Sequence, residues 1–318
     1  MTPKPWTEIG QHALMAQGGH DDAARFNVIA NLNLFLATRV MPTVQEAFEH
    51  RASQGFRLRT GRDVQTMADV GEALAGDPAY RAWSSLRRNA METRQQTGRS
   101  LVLRQAEALA AKAAALNAGA ATLKLDPELP VPDYVAEGDQ HLMPGGYATE
   151  LFAGDVSGPA NYDAGIFATT LGASGPWSDL AGRALVNWLR SAQPDFRPRR
   201  ILDLGCGMGH NTLPLREAFP DAEIIAIDVA APMLRYGHAR AKSLGVNDVV
   251  FQQADATRTG LESGSFDLVF TTMVLHETSR EAVQAMFAEA FRLLAPGGLT
   301  IHLEQPPYRQ FGAFEQFM

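Results

Sequence analysis

The sequence predicts an α/β architecture: a parallel sheet flanked by helices in the C-terminal half, preceded by an all-helical region. Three observations carry this prediction. From Trp177 onward strand-like and helix-like patterns alternate; a glycine-rich turn, Gly205-Cys206-Gly207-Met208-Gly209, follows an apolar strand and opens a helix; and from about His20 to Gly119 no convincing strand is found. Such alternation builds a parallel sheet with right-handed crossovers, because each strand returns to the same edge through a helix that covers the sheet face.

Asp21-Asp22 can cap a helix carrying Phe26, Ile29, Leu32 and Leu36 on related faces. Asp77-Pro78 reads as a cap followed by a first-turn proline. Ser100 to Asn117 reads as an alanine-rich helix with Leu101, Leu109 and Leu116 toward one side, ended by Gly119. Residues 1–124 are therefore expected to form a helical N-terminal domain. Residues 125–176 differ, since Pro127, Pro130, Pro132, Pro144, Gly145-Gly146, Gly158-Pro159 and Gly175-Pro176 break any long periodic element. They are expected to form a linker or lid, whose Tyr134, His141, Tyr147, Tyr162 and Phe167 either cover a pocket or fill a domain joint. Residues 177–318 carry an amphipathic helix from Ser178 to Leu189, then strands near 200–204, 223–228, 248–252, 266–272 and 298–304. Helical patterns near 210–219, 231–244 and 279–295 separate them.

Composition narrows the function classes. A length of 318 residues allows two domains, and 46% hydrophobic with 20% charged residues is ordinary for a globular chain. No apolar run approaches the roughly 20 residues that span a bilayer. Met1 to Glu8 holds no signal-peptide core, so no membrane partner and a cytoplasmic location are the default expectations. Cys206 is the single cysteine, which excludes an intrachain disulfide, and it reads as a small packing residue rather than a nucleophile. Residues 1–130 hold 15 basic and 13 acidic side chains, a net of +2, which leaves −9 for the remainder. An acidic half without a basic stripe argues against nucleic acid and for a small-molecule partner, because phosphate neutralisation supplies most of nucleic-acid affinity. The histidines show no H-x-x-x-H pair, and no metal site is expected.

Spacing sharpens the ligand. Gly205, Gly207 and Gly209 follow G-x-G-x-G, and His210 stands where the third glycine of the dinucleotide fingerprint G-x-G-x-x-G would be, which disfavours a pyrophosphate. Asp228 ends the next strand about twenty residues on, where an acid can accept both ribose hydroxyls. Asp255-Ala256 follows the third strand of this half. Together with Ser265-Phe266-Asp267-Leu268-Val269-Phe270 and Leu294-Ala295-Pro296-Gly297-Gly298-Leu299, these segments resemble the class I S-adenosylmethionine-dependent methyltransferases, small-molecule branch, over about residues 177–305.

The resemblance implies a Rossmann-like methyltransferase domain, S-adenosyl-L-methionine as cofactor, and methyl transfer to an oxygen, carbon or nitrogen of a small-molecule acceptor. Asp203 and Gly205 would hold the methionine end, Gly207 and Gly209 would allow close approach, Asp228 would take the ribose, and Asp255 with Ala256 the adenine edge. Cys206, Val229, Met233 and Thr271 are further implied cofactor contacts. His276, after the fourth strand of this half, is the general-base candidate, because an imidazole titrates near neutral pH. Tyr147, Tyr162 and Glu304 are acceptor-binding candidates.

Two other readings share these signals. A nicotinamide oxidoreductase would also use a glycine turn and a strand-end acid, although the missing third glycine and Asp255-Ala256 count against it. A non-catalytic, cofactor-binding assembly protein would keep the site for stability and use the helical region as its working surface. The family sheet usually ends in two more strands, whereas this sequence stops 14 residues after Glu304. The C-terminal strands are thus expected to be incomplete, as in a fragment or a homo-oligomer, with an open edge at Leu299 to Leu303 and with Phe311, Phe314 and Phe317 uncovered.

Overall fold

The computed structural model describes residues 2–136 and 140–318. Six strands form one parallel sheet: β1 (Leu123–Lys124), β2 (Arg200–Leu204), β3 (Glu223–Asp228), β4 (Val249–Gln253), β5 (Phe266–Thr272) and β6 (Leu294–Leu303). Their spatial order is β1-β4-β3-β2-β5-β6. The chain leaves β2 toward one edge through β3 and β4, then returns to the other side of β2 through β5 and β6. That reversal opens a crevice at the carboxyl ends of the central strands. Ile201, Leu202, Leu204, Ile224, Ala226, Ile227, Leu268, Val269 and Phe270 are all buried, because helices cover both faces of the sheet.

The first hundred or so residues are helical: α1 (His20–Phe35), α2 (Met41–Ala47), α3 (Ser53–Thr60), α4 (Met67–Leu74), α5 (Pro78–Leu103) and α6 (Ala106–Asn117). Gly19, not Asp21, is the N-cap of α1, and the Asp22 carboxylate reaches back to accept the Gly19 N–H at 3.0 Å while pairing with Arg104. Asp77 caps α5 by accepting the Ala79 N–H at 2.8 Å, with Pro78 in the first turn. β1 is the departure from an all-helical reading of this region. Phe251 donates its N–H to the Thr122 carbonyl, which draws the chain alongside β4.

Between β1 and β2 lie α7 (Asp133–Ala136), α8 (Ser157–Thr169) and α9 (Leu180–Ala192). Residues 137–139 of the expected linker fall outside the described residues. The stretch read as short pieces contains in α8 a 13-residue helix buried on most sides and packed against α1, α5 and α11 (Ala231–Ser243). Small residues permit this: Ala160, Ala164, Gly165 and Ala168 let neighbouring helices approach closely. Phe167, expected either over a pocket or in a domain joint, lies in this core and is 1% exposed.

α10 (Thr212–Ala218) and α12 (Arg280–Leu293) complete the sheet coverings, and α13 (Ala313–Phe317) folds back onto α4. The expectation for the C-terminal aromatics is therefore corrected. Phe314 stacks on Phe48 with ring centroids 4.9 Å apart, and Phe317 lies 5.4 Å from Tyr80, so only Phe311 stays largely exposed. The outer edge of β6 has no strand beside it among the described residues. The opening turn of α9 packs directly on the chain that follows the glycine turn, and a Cβ on Gly182 would sit 2.4 Å from the Asn211 carbonyl oxygen. Gly182→Ala is expected to lower stability by about 1–3 kcal/mol through this backbone clash. A denaturant midpoint unchanged from the parent would show that the joint yields freely.

Candidate functional site

A cavity with about 1000 Å³ of space, its mouth included, opens at the carboxyl ends of β2, β3, β4 and β5. Its floor is the glycine turn. Gly205 and Cys206 donate their N–H groups to the Ile227 carbonyl at 2.9 Å, tying the turn to β3. Gly207 then donates to Asp228 Oδ2 at 2.8 Å, and the other oxygen of that carboxylate accepts the Ala230 N–H at 2.9 Å. Burial raises the Asp228 pKa, and these backbone donors work against that rise. Gly207 has φ +54°, and a Cβ there would meet nothing within 4 Å, so its missing side chain leaves open space.

Several sequence-predicted residues line this cavity: Gly205, Cys206, Gly207, Asp228, Val229, Met233, Ala256, Tyr147 and Tyr162. Others do not. Gly209 is glycine for packing, since a Cβ there would stand 2.9 Å from the Phe251 ring. Asp203 lies buried beneath the turn, where Oδ2 accepts the Thr212 hydroxyl at 2.6 Å and Oδ1 has no partner. Burial pushes its pKa up to about 7. Thr271 points away, bonded to His302 Nδ1 at 2.9 Å, and its neighbour Thr272 takes the cavity position, because successive strand residues face opposite sides. Asp255 stands behind Tyr134, accepting its hydroxyl at 2.6 Å, so Tyr134 presents the polar group that Asp255 was expected to present. The Cys206 thiol is held protonated, burial pushing its pKa up, as suits a packing residue.

The roof comes from the helical side. Tyr147 and Tyr162 meet edge to face at 5.9 Å, and burial pushes the Tyr162 hydroxyl up to about 12. His210, also in the wall, lies 3.1 Å from Asp163 Oδ1, while Asp163 Oδ2 accepts from Tyr236 at 2.8 Å and lies 2.8 Å from His12 Nε2. Burial opposes the charge of Asp163, but bonds from His12 and His210 hold its pKa well below the usual range. This buried knot joins the N-terminal arm, α8, the glycine turn and α11.

At the other end of the cavity is a group the sequence did not single out, centred on Glu277. Its Oε1 accepts from His141 Nε2 at 2.6 Å and from the Tyr147 hydroxyl at 3.2 Å. His276 is set beside it, Nε2 lying 3.6 Å from the same oxygen, while its Nδ1 is 2.6 Å from Glu304 Oε1. Glu304 therefore supports His276 instead of lining the cavity. Hydrogen bonding to Glu304 raises the His276 pKa. Burial pushes Glu277 upward, yet the bond from His141 and the neighbouring histidines hold it below its ordinary value.

Fold and cavity define a parallel α/β protein with a ligand site at the strand carboxyl ends. Residues 201–298 match the family described as Methyltransferase domain. Three relatives are demethylmenaquinone methyltransferase of Thermus thermophilus (36% identical, 42% of this chain and 62% of its own length), malonyl-[acyl-carrier protein] O-methyltransferase of Methylococcus capsulatus (36%, 37% and 40%) and trans-aconitate 2-methyltransferase of Methylobacterium radiotolerans (35%, 35% and 42%). The chain thus spans between 40% and 62% of the length of these relatives. A solved structure of a Pyrococcus horikoshii protein is 27% identical, covering 38% of this chain and 56% of its own, with a TM-score of 0.34. No helix among the described residues is long and apolar enough to cross a membrane.

The raised pKa of Asp203 makes a sign-definite prediction. Its folded value of about 7 lies above the ordinary 3.8, so the stability it contributes is complete below pH 4 and is lost as pH rises through 7. Asp203→Asn is expected to flatten the pH dependence of unfolding between about pH 4 and 7, where the parent loses up to about 1.4 kcal/mol per pH unit. Parallel curves for the two proteins would place the Asp203 proton elsewhere.

Proposed function

We propose that this chain is an S-adenosyl-L-methionine-dependent methyltransferase acting on an oxygen, carbon or nitrogen of a small-molecule acceptor. The observation that carries the reading is the Asp228 carboxylate, which holds the Gly207 N–H in the cavity wall beside the open space above that glycine. The residues fit the cofactor. Gly205 and Cys206 would flank the amino-acid end, Asp228 has lone pairs left for ribose hydroxyls, and Ala254, Ala256 and Tyr134 offer an apolar slot with one polar edge for adenine. The match of residues 201–298 supports the same reading.

When bound, the cofactor supplies a methyl group on a sulfonium, and the chain's own part is alignment and exclusion of water. Tyr147 and Tyr162 close the roof over the acceptor end, and Thr272, Met273 and Val274 form the wall after β5. Glu277 is the polar group facing the acceptor. His276, the general-base candidate, keeps Nε2 as its free nitrogen when Nδ1 donates to Glu304, and that nitrogen lies 3.6 Å from Glu277 in the cavity wall. The acidic C-terminal half favours a small acceptor over nucleic acid, and a reducing cytoplasm suits the half-buried free thiol of Cys206.

Calorimetric titration separates this reading from a nicotinamide enzyme: S-adenosylhomocysteine is expected to bind and NADH is not. Binding of NADH alone would overturn the proposal. Asp228→Ala is expected to weaken S-adenosylhomocysteine by about 1.5–3 kcal/mol, because a charged acceptor of two hydrogen bonds is lost. An unchanged dissociation constant in the folded variant would remove Asp228 from the site. Gly207→Val, which puts a branched side chain into the open space at positive φ, is expected to abolish the thermal shift that S-adenosylhomocysteine gives the parent.

A further inference from the structure

His141, His276 and Glu277 present ligand atoms that all lie within 4.8 Å of one another, and of the three Glu277 lines the cavity. The set is two imidazoles and a carboxylate, a donor combination suited to divalent zinc, iron, cobalt or manganese. Metal bonds of about 2.0–2.2 Å in tetrahedral or octahedral geometry put neighbouring ligand atoms about 3–3.5 Å apart. Glu277 Oε1 lies 2.6 Å from His141 Nε2 and 3.6 Å from His276 Nε2, so the first pair must open and the second close by less than about 1 Å each, and the two imidazoles already lie within 4.8 Å of one another. Glu304 adds the outer support such sites use: a carboxylate accepting from Nδ1 fixes the tautomer and turns the Nε2 lone pair toward the centre.

Two further features set this apart from an ordinary hydrogen-bonded rim. His141 has φ +53°, a left-handed backbone uncommon for a residue with a side chain. It is held there by the buried Gln95, whose amide donates to the His141 carbonyl at 2.8 Å and in turn accepts from Asn161 at 2.8 Å. Second, among the described residues no lysine or arginine pairs with Glu277 or Glu304, and the two carboxylates flank His276, one at each ring nitrogen, with histidines as their charged partners.

We propose that His141 Nε2, His276 Nε2 and Glu277 bind one divalent transition-metal ion, with Glu304 as the positioning residue, and that its open coordination positions take an oxygen of the acceptor. Binding needs the lone pair of His141 Nε2, so the proton that nitrogen shares with Glu277 passes to Nδ1 of the same ring, and because protons compete with the ion for the imidazoles, affinity falls as pH is lowered. The ion would polarise an acceptor hydroxyl and ease loss of its proton. A metal-held His276 has no free lone pair to act as general base; the ion lowers the pKa of the bound hydroxyl and its proton passes to solvent. The acceptor role rests on the methyl-transfer reading; the metal site does not.

The test is titration of the purified chain with Co²⁺, followed by its visible d–d absorption, beside titration with S-adenosylhomocysteine. One equivalent of Co²⁺ is expected, with His141→Ala and Glu277→Gln each weakening it at least tenfold and Glu304→Gln by about 10–100-fold, while S-adenosylhomocysteine affinity persists and shows that each variant is folded. A parent that binds S-adenosylhomocysteine but not millimolar Co²⁺ would overturn the metal site and leave the methyl-transfer reading standing. Co²⁺ binding undiminished in the His141→Ala, Glu277→Gln double variant would overturn it as well, by placing the ion elsewhere. Co²⁺ bound by the parent and lost in the variants, with no S-adenosylhomocysteine bound by any of them and all still unfolding cooperatively, would keep the metal site and end the methyl-transfer reading.

Discussion

The Asp228 carboxylate is the constraint on which the site depends. Its two oxygens each take one backbone N–H, from the turn after β2 and from the start of α11. Two loops that follow different strands are thereby fixed to a single group, and the backbone between them is free of side chains at Gly205 and Gly207. Burial makes ionisation of Asp228 harder, so the two N–H bonds serve the charge as well as the geometry. A turn held this way is rigid before any ligand arrives, which limits the ordering that binding must bring about.

The helical region completes the cavity; it does not merely stand beside it. α8 brings Tyr162 to the roof and Asp163 to the knot with His12, His210 and Tyr236. The cavity wall at His210 is consequently tied to a residue near the N-terminus. Rearrangement of the N-terminal arm would be felt at the glycine turn through one buried carboxylate, where an unpaired partner is costly.

How much of this was legible follows from the kind of signal each part leaves. β2, β3 and β5 could be read because strands covered on both faces are continuous apolar runs, such as Ile224 to Ile227. The same continuity hides which residues face which way, and so Thr271 was taken for Thr272. β1 has two residues, too few for any periodicity, and exists because β4 offers it hydrogen bonds. Asp228 and the glycine turn were legible because their spacing is local. His141 and Glu277 were not grouped, since they lie 136 positions apart and only the packing of the 140s against the loop after β5 brings them together. Gly209 shows the limit of a motif: it lies outside the cavity lining, and its φ of +77° and the Phe251 ring 2.9 Å from where a Cβ would stand already call for glycine.

The two sheet edges formed by the described residues are unequal. On one side β1 ends the sheet with a two-residue strand, which offers few backbone groups to an added strand. On the other, β6 runs ten residues with its outer side unpaired among the described residues, and Phe291 on the adjacent α12 is 81% exposed. Any further strand, from this protein or from a partner, therefore finds its hydrogen-bond partners along β6 and not along β1.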